Sequence, residues 1–240
     1  FVLGSELLDG NCKLLSFGGQ VMKNVAGYDV SRFLAGNLGI LGVLTEVSLK
    51  VLPIPEYEQT VSLDIDQSSA LTQMCDWASQ PLPISATAWH NNRLTVRLSG
   101  AESAVKAAAI TLAGTAVANE EATQYWQQLK EQQHNFFSEG DAPLWRVALP
   151  ATTPALDIST EQTLLEWSGT QRWLRSELDA TQLRATVSAL GGHATLFRGG
   201  DKNQGVFTPL APVLMTLHNN LKREFDPNGI FNAGRFYPTL

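Results

Sequence analysis

Residues 17–52 read FGGQVMKNVAGYDVSRFLAGNLGILGVLTEVSLKVL, and this stretch decides what fold to expect. Gly18, Gly19, Gly27, Gly36, Gly39 and Gly42 punctuate a short helical signal at Asp29–Leu34. They then lead directly into an alternating strand, Val43–Leu52. Glycine permits positive φ and lets backbone approach another group closely. A glycine-rich run that feeds a strand therefore suits backbone N–H groups laid against a flat or anionic ligand. Ordinary turn geometry is the plainer alternative, and the residues alone leave both open. Working outward, Val2–Leu8 and Lys13–Phe17 flank Asp9-Gly10-Asn11-Cys12, the signature of a β-hairpin. On the other side the strand places Val43, Thr45, Val47, Leu49 and Val51 on one face, and Pro53-Ile54-Pro55 stops it. A domain boundary is expected there, giving segments 1–55, 56–207 and 208–240.

The composition is that of an ordinary folded chain. Of 240 residues, 44% are hydrophobic and 17% charged, enough apolar material for a sizeable core. The net charge of −6, without any lysine- or arginine-rich patch, argues against nucleic acid as a partner. Cys12 and Cys75 stand far apart without pairing or metal spacing, which suits free thiols in a reducing compartment. The most apolar stretch, 33–54, is interrupted by Asn37, Glu46 and Lys50 and does not read as a spanning helix. The chain opens on Phe1-Val2-Leu3-Gly4 as if in mid-strand, which suggests a protein whose amino-terminal part precedes this sequence.

Beyond Pro55 the pattern follows a β-α-β-β-α-β order: Gln59–Leu63, Ser69–Ser79, Ile84–Trp89, Arg93–Leu98, Ala101–Ala113 and Thr115–Ala118. His90-Asn91-Asn92 forms the tight turn at its centre. The order predicts a ferredoxin-like unit. Asn119 is expected to cap an amphipathic helix bearing Ala122, Tyr125, Trp126, Leu129, Phe136 and Phe137. Strands at Trp145–Leu149, Leu164–Ser168 and Gln171–Arg175, a helix at Ala180–Leu190 and a strand at His193–Phe197 make a second α+β passage. Pro209 is expected to begin a last helix with Leu210, Val213, Leu214, Leu217, Leu221 and Phe225 at helical spacing, ending at Asp226-Pro227-Asn228-Gly229. The fold class is α+β. The six tryptophans suit a packed core, with Trp173 between Arg172 and Arg175 a possible interface residue.

FGGQVMKNVAGYDVSRFLAG, LGVLTEVSLKVLP, GGHATLFRGG and FDPNGIFNAGR together resemble the FAD-binding E subunits of bacterial glycolate oxidase (glycolate dehydrogenase), within the vanillyl-alcohol-oxidase class. The resemblance runs from Val2 to Pro238, and its most specific part is Gln20–Leu34. It implies the second half of a vanillyl-alcohol-oxidase-type FAD-binding domain, a ferredoxin-like α+β cap, and a closing helix and tail that return to the first domain. It also implies FAD, oxidation of glycolate or another small 2-hydroxy acid, and two partner subunits, one an FAD-containing catalytic subunit and one an iron–sulfur protein. A cytoplasmic location follows from the same likeness, peripheral at the inner membrane through the complex. The chain departs from the class at Leu38 and Ile40, where a polar or acidic residue and a threonine are usual, and at Ala233, where proline is usual.

The resemblance makes Gly18, Gly19, Lys23, Asn24, Gly27, Tyr28, Gly39, Gly42, Val43 and Asn232 the expected flavin contacts. Lys23 would offset negative charge, and Asn24 and Asn232 would bond polar atoms of the ring or ribitol. Tyr28-Asp29 has an equally good structural reading, with Asp29 as a helix cap. His193 and Arg198 are the candidate substrate-side pair, a proton acceptor and a carboxylate fork. Five residues apart on a strand, they are expected on opposite faces. His90, His134 and His218 read as turn or helix-surface residues, and no metal-ligand spacing is seen. The class's catalytic subunits carry a histidine-rich metal motif, so its absence points to an electron-relay or supporting subunit. A self-sufficient dehydrogenase and a non-catalytic assembly subunit are the alternatives.

Overall fold

The computed structural model describes residues 1–20, 28–138, 140–156 and 163–240. It divides into two compact units, Phe1–Pro53 with Pro209–Leu240, and Ile54–Thr208.

The first unit is built on the hairpin β1 (Val2–Leu8) and β2 (Leu14–Gly18), followed by a short helix α1 (Val30–Phe33) and strand β3 (Val43–Leu49). The antiparallel sheet runs β2-β1-β3. The hairpin loop spans five residues. Asp9 Oδ1 accepts from the N–H groups of Asn11 and Lys13, both at 2.8 Å, and Cys12 adopts φ 59°. Asp29 caps α1 as expected, its carboxylate accepting from Arg32 N. The unit's core gathers Leu7, Leu34, Ile40, Leu41 and the carboxy-terminal Leu240. Strand β3 ends three residues earlier than the alternation suggests, and it is exposed along almost its whole length because it edges a three-stranded sheet. Its period-2 pattern therefore does not report which side is buried.

The second unit starts with β4 (Tyr57–Asp64), α2 (Gln67–Ala78), β5 (Ile84–His90), β6 (Arg93–Gly100), α3 (Glu102–Leu112) and β7 (Thr115–Ala116). Then come α4 (Asn119–Lys130), α5 (Asn135–Ser138), β8 (Leu144–Ala148), β9 (Thr163–Glu166), β10 (Gln171–Arg175), α6 (Ala180–Ala189) and β11 (His193–Arg198). The eight strands form one sheet in the order β11-β8-β10-β9-β5-β6-β4-β7. Each half of that order, numbered within itself, reads fourth-first-third-second, so two ferredoxin-like halves meet second strand to second strand. At the seam the registered pairs are Ala88↔Glu166 and Trp89↔Leu165. One sheet face packs under α2 and α3 through Val61, Leu94, Val96 and Leu98, and under α6 through Val147 and Ala194. The opposite face receives α4 and α5 through Ala88, Leu144, Leu164 and Trp173.

Three local expectations are corrected. Ala118, not Asn119, is the N-cap of α4, with no side-chain cap bond; Asn119 is its first residue. The helix stops at Lys130, Gln132 takes φ 55°, and Phe136 and Phe137 sit on the separate α5. In the first unit, helix α7 (Pro212–Phe225) starts at Pro212, not Pro209, so Leu210 lies outside it. Two prolines within four residues both fit a helix start, and only Pro212 fills the first turn, where its missing N–H costs nothing. The turn Asn91-Asn92 has both residues at positive φ, 49° and 59°, the geometry of a type I′ hairpin. Asn92→Gly relieves the left-handed strain at the second position, and a denaturant midpoint should register a gain of about 0.5 kcal/mol.

Candidate functional site

In the first unit the glycine-rich turn is held from beneath by α7. Lys222 Nζ donates to Ile40 O at 2.7 Å, to Phe231 O at 2.6 Å and to Asp226 Oδ2 at 2.7 Å, which uses all three ammonium donors. The two side chains are 9% and 0% exposed. Asp226 also accepts from Ile230 N and Phe231 N. Burial opposes ionisation of this carboxyl. The Lys222 ammonium and the two backbone donors outweigh it and hold the group below its ordinary value. Gly10 is glycine for the same packing, since a Cβ there would lie 2.5 Å from Asp226 Oδ1. Sequence reading missed this pair. Its signal was present in the four-residue spacing of Lys222 and Asp226 at the helix end.

The sequence-expected contact residues separate into three groups. Lys23, Asn24 and Gly27 lie outside the described residues. Gly18, Gly39 and Gly42 face the protein itself. A Cβ at Gly42 would meet Leu8 O at 2.5 Å, one at Gly39 would meet Asn232 Nδ2 at 2.9 Å, and one at Gly18 would collide with Leu3 O. Asn232, at φ 43°, spends its amide on Leu38 O at 2.7 Å. Of the expected glycines among the described residues, Gly19 faces open space, as does Gly36, which is not one of the expected contacts. Tyr28 and Val43 are exposed.

Whether this surface suits a flavin is decided by two features. Asn37 Oδ1 accepts from Gly39 N at 2.8 Å, while Asn37 Nδ2 is buried with no partner among the described residues. A hollow of about 190 Å³ beside it is lined by Phe33, Gly36, Asn37, Ile40, His218 and Phe236. An orphaned donor, an open glycine and aromatic walls fit part of an acceptor-bearing planar group. The hydrocarbon Ile40 offers no hydroxyl there.

In the second unit, His193 and Arg198 occupy the two ends of β11. A β-bulge between Leu196 and Arg198 changes the alternation, so His193 pairs with Ala148 and Arg198 with Leu144. Those partners share a sheet face, so the expectation of opposite faces fails. Four residues of strand still separate them, roughly 13 Å, so they make no direct contact. Arg198 bonds Gln132 Oε1 at 2.7 Å. His90 and His134 are half-buried: their rings meet edge-on at 5.5 Å, each also packing on an aromatic neighbour, Phe136 or Tyr125. Burial pushes the Tyr125 phenol up to about 12. Trp167 is the tryptophan that does not join a core, at 71% exposure. Among the described residues, no group of three or more His, Cys, Asp or Glu side chains could hold a metal ion, and no helix is long and apolar enough to cross a membrane.

Comparison with known proteins completes this picture. The chain is 46% identical over all 240 residues to the glycolate oxidase subunit GlcE of Escherichia coli (strain K12). The chain belongs to the GlcE family of glycolate oxidase subunits. It spans 66% of that relative's length. A 61-residue segment is 39% identical to the glycolate oxidase subunit GlcD of Bacillus subtilis (strain 168), covering 25% of this chain and 13% of that protein. No protein-family profile matches. Among solved structures, an alkyldihydroxyacetonephosphate synthase superposes with a TM-score of 0.54 over 96% of this chain and 53% of that one, at 12% identity. This likeness concerns the fold alone, and it bears out the expected α+β class.

Proposed function

We propose that this chain is part of an FAD-binding subunit of a glycolate-oxidising complex, serving as an electron relay or support rather than as the glycolate oxidation site. The 46% identity to a glycolate oxidase subunit over all 240 residues of this chain is the observation that carries the reading. FAD, when bound, would accept two electrons from a 2-hydroxy acid or from another carrier. Asn37 would donate to one of its acceptors, Gly19 and Gly36 would admit it close to the backbone, and Lys23 and Asn24 would meet its polar edge. Asn232 would act indirectly, by fixing Leu38 and the turn around Gly39. The partners implied are an FAD-containing catalytic subunit and an iron–sulfur subunit, with the assembly cytoplasmic or peripheral at the inner membrane. The absence of a histidine cluster in the described residues favours the supporting role over a self-sufficient dehydrogenase.

The test is the visible spectrum of the purified chain before and after incubation with excess FAD. Retained flavin absorbance is expected, with loss of most of it in the Lys23→Ala, Asn24→Ala double variant. A chain that stays colourless after reconstitution overturns flavin binding by this sequence and leaves the assembly role. Glycolate turnover by the isolated chain would instead establish the self-sufficient enzyme.

A further inference from the structure

Between α4 and the β5–β6 hairpin lies a cavity of about 260 Å³ lined by His90, Arg93, Thr95, Glu121, Tyr125 and His134. Its two histidines are bonded in opposite senses. Thr163 O can only accept, so His90 Nδ1, 3.0 Å away, carries a proton and donates across the seam to β9. The Phe136 N–H can only donate, so His134 Nδ1, 3.3 Å away, accepts and carries none. Phe137 N donates to His134 O at 2.7 Å. His134 directly precedes α5 and is therefore its N-cap, with an imidazole nitrogen where a serine, aspartate or asparagine oxygen is usual.

The helix capped in this way is a strap over the sheet. Phe136 and Phe137, each 4% exposed, cover Ala88, Leu144, Leu164 and Trp173, and the rings of Phe137 and Trp173 meet edge-on at 5.2 Å. Arg175 holds the strap from β10, donating to the carbonyls of Phe136 and Phe137 at 2.8 and 2.6 Å and to those of Gly140 and Ala142. Around the histidine pair, Arg93 comes from β6 and Glu121 from α4. Glu166 of β9 acts on Tyr125, and Arg175 lies 6.0 Å from the Phe136 ring. The Tyr125 phenol stays neutral, since burial pushes it up to about 12. A proton added to His134 thus meets one cation and one carboxylate in the cavity, and the cap bond decides its effect.

We infer that His134 is an acid-sensitive latch on this strap. A proton taken from solvent at Nδ1 removes the acceptor of the Phe136 N–H and sets an imidazolium against the N–H groups that open α5. Histidine is the side chain that changes charge between pH 5 and 8. The closed strap needs a bare Nδ1 and the open one does not, so opening takes up a proton and becomes easier as pH falls. The Arg175 guanidinium stays charged throughout that range, so its four bonds keep most molecules closed. The latch therefore sets how often the strap lifts, baring Trp173 and its apolar neighbours, and leaves the rest of the fold in place. His90 acts as the anchor: its Nδ1–H bond to Thr163 O survives protonation at Nε2. A proton there adds a like charge 5.5 Å away between ring centroids, which favours opening further.

The experiment is hydrogen exchange of the whole chain at about pH 7.5 and about pH 5.5, corrected for the intrinsic pH dependence of exchange. Protection of the Phe136 and Phe137 N–H groups should fall about 10-fold at the lower pH, the worth of one cap, while Val96 in β6 and Val147 in β8 keep theirs. His134→Asn, whose amide oxygen caps at either pH, should abolish the fall. His134→Ala should leave both amides weakly protected at both pH values. Nitrogen-15 spectra of the imidazoles at the higher pH should show the Nε2–H tautomer at His134 and the Nδ1–H tautomer at His90. The reverse tautomers overturn the latch without any substitution. So does an undiminished protection in the wild type, an equal fall in His134→Asn, or a fall shared by Val96 and Val147, which marks general acid destabilisation. The readout needs no flavin, so it stands whatever the outcome for FAD binding.

Discussion

Lys222→Met destabilises the unit that carries the glycine turn by about 3–5 kcal/mol, because it strands Asp226 as an uncompensated buried charge. The loss has a second part. Ile40 O and Phe231 O lose their donor together, so both the glycine turn and the tail after α7 come loose from the helix that holds them. Asp226→Asn should cost less, since the amide oxygen still accepts from the Ile230 and Phe231 N–H groups. The double variant Lys222→Met, Asp226→Leu should recover part of the loss, as apolar replacements of buried ion pairs often do. Acid should mimic the single variants. The Asp226 carboxyl is depressed from 3.8, so its contribution is present above that value. It is lost as pH falls through the lower folded value, where the native carboxylate takes up its proton. Urea titrations at pH 7 and pH 3, followed by hydrogen exchange at residues 38–42 and 230–234, would check this. Equal protection in wild type and Lys222→Met would refute the anchoring role.

Arg172→Met is the second large effect, about 3–5 kcal/mol against the second unit. Arg172 is fully buried, and burial draws its guanidinium down to about 10, still charged at neutral pH. Among the described residues no carboxylate pairs with it. It donates instead to three carbonyls, Gly169 O at 3.0 Å, Pro154 O at 2.6 Å and Thr153 O. Those bonds tie the segment after β8 to a turn in which Trp167, Ser168 and Gly169 all take positive φ, at 52°, 54° and 78°. Thr87 Oγ1 holds the same turn by accepting from Ser168 N at 2.7 Å. Non-glycine residues at positive φ are costly, so the turn persists only while its surroundings fix it. In the methionine variant the three carbonyls lack donors, and the thermal midpoint should fall with increased mobility of Trp167. A methionine variant as stable as wild type would show that the turn holds itself.

The sequence disclosed the second unit better than the first, for a physical reason. Within the ferredoxin-like halves, strands and helices bury one face each, so alternation and helical spacing report the core directly. The hairpin centred on Asn91-Asn92 and the cap at Asp29 were legible because turn and cap chemistry are local. In β3 and α7 the same periodicity misled, since Val43, Val47, Val213 and Leu217 are exposed however regularly they recur. The site was less legible. A glycine is visible in sequence, but whether it faces a ligand or its own backbone is a matter of contact, and Gly42 and Gly18 proved to face backbone. The shared face of His193 and Arg198 depends on a one-residue bulge that no spacing rule announces. Lys222 and Asp226 are buried by tertiary contact, with the turn at Ile40 and the tail at Phe231 lying across them.

The two-halved sheet has a mechanical corollary. Adjacent strands β4 and β6 are stitched by eight registered pairs, whereas β5 and β9 share two. A plate joined that way is stiff within each half and compliant along its midline. Force pulling the halves apart falls on those two pairs, on the Ser168–Thr87 bond and on the His90–Thr163 contact, and bending there can tilt one half against the other without disturbing the strands inside either.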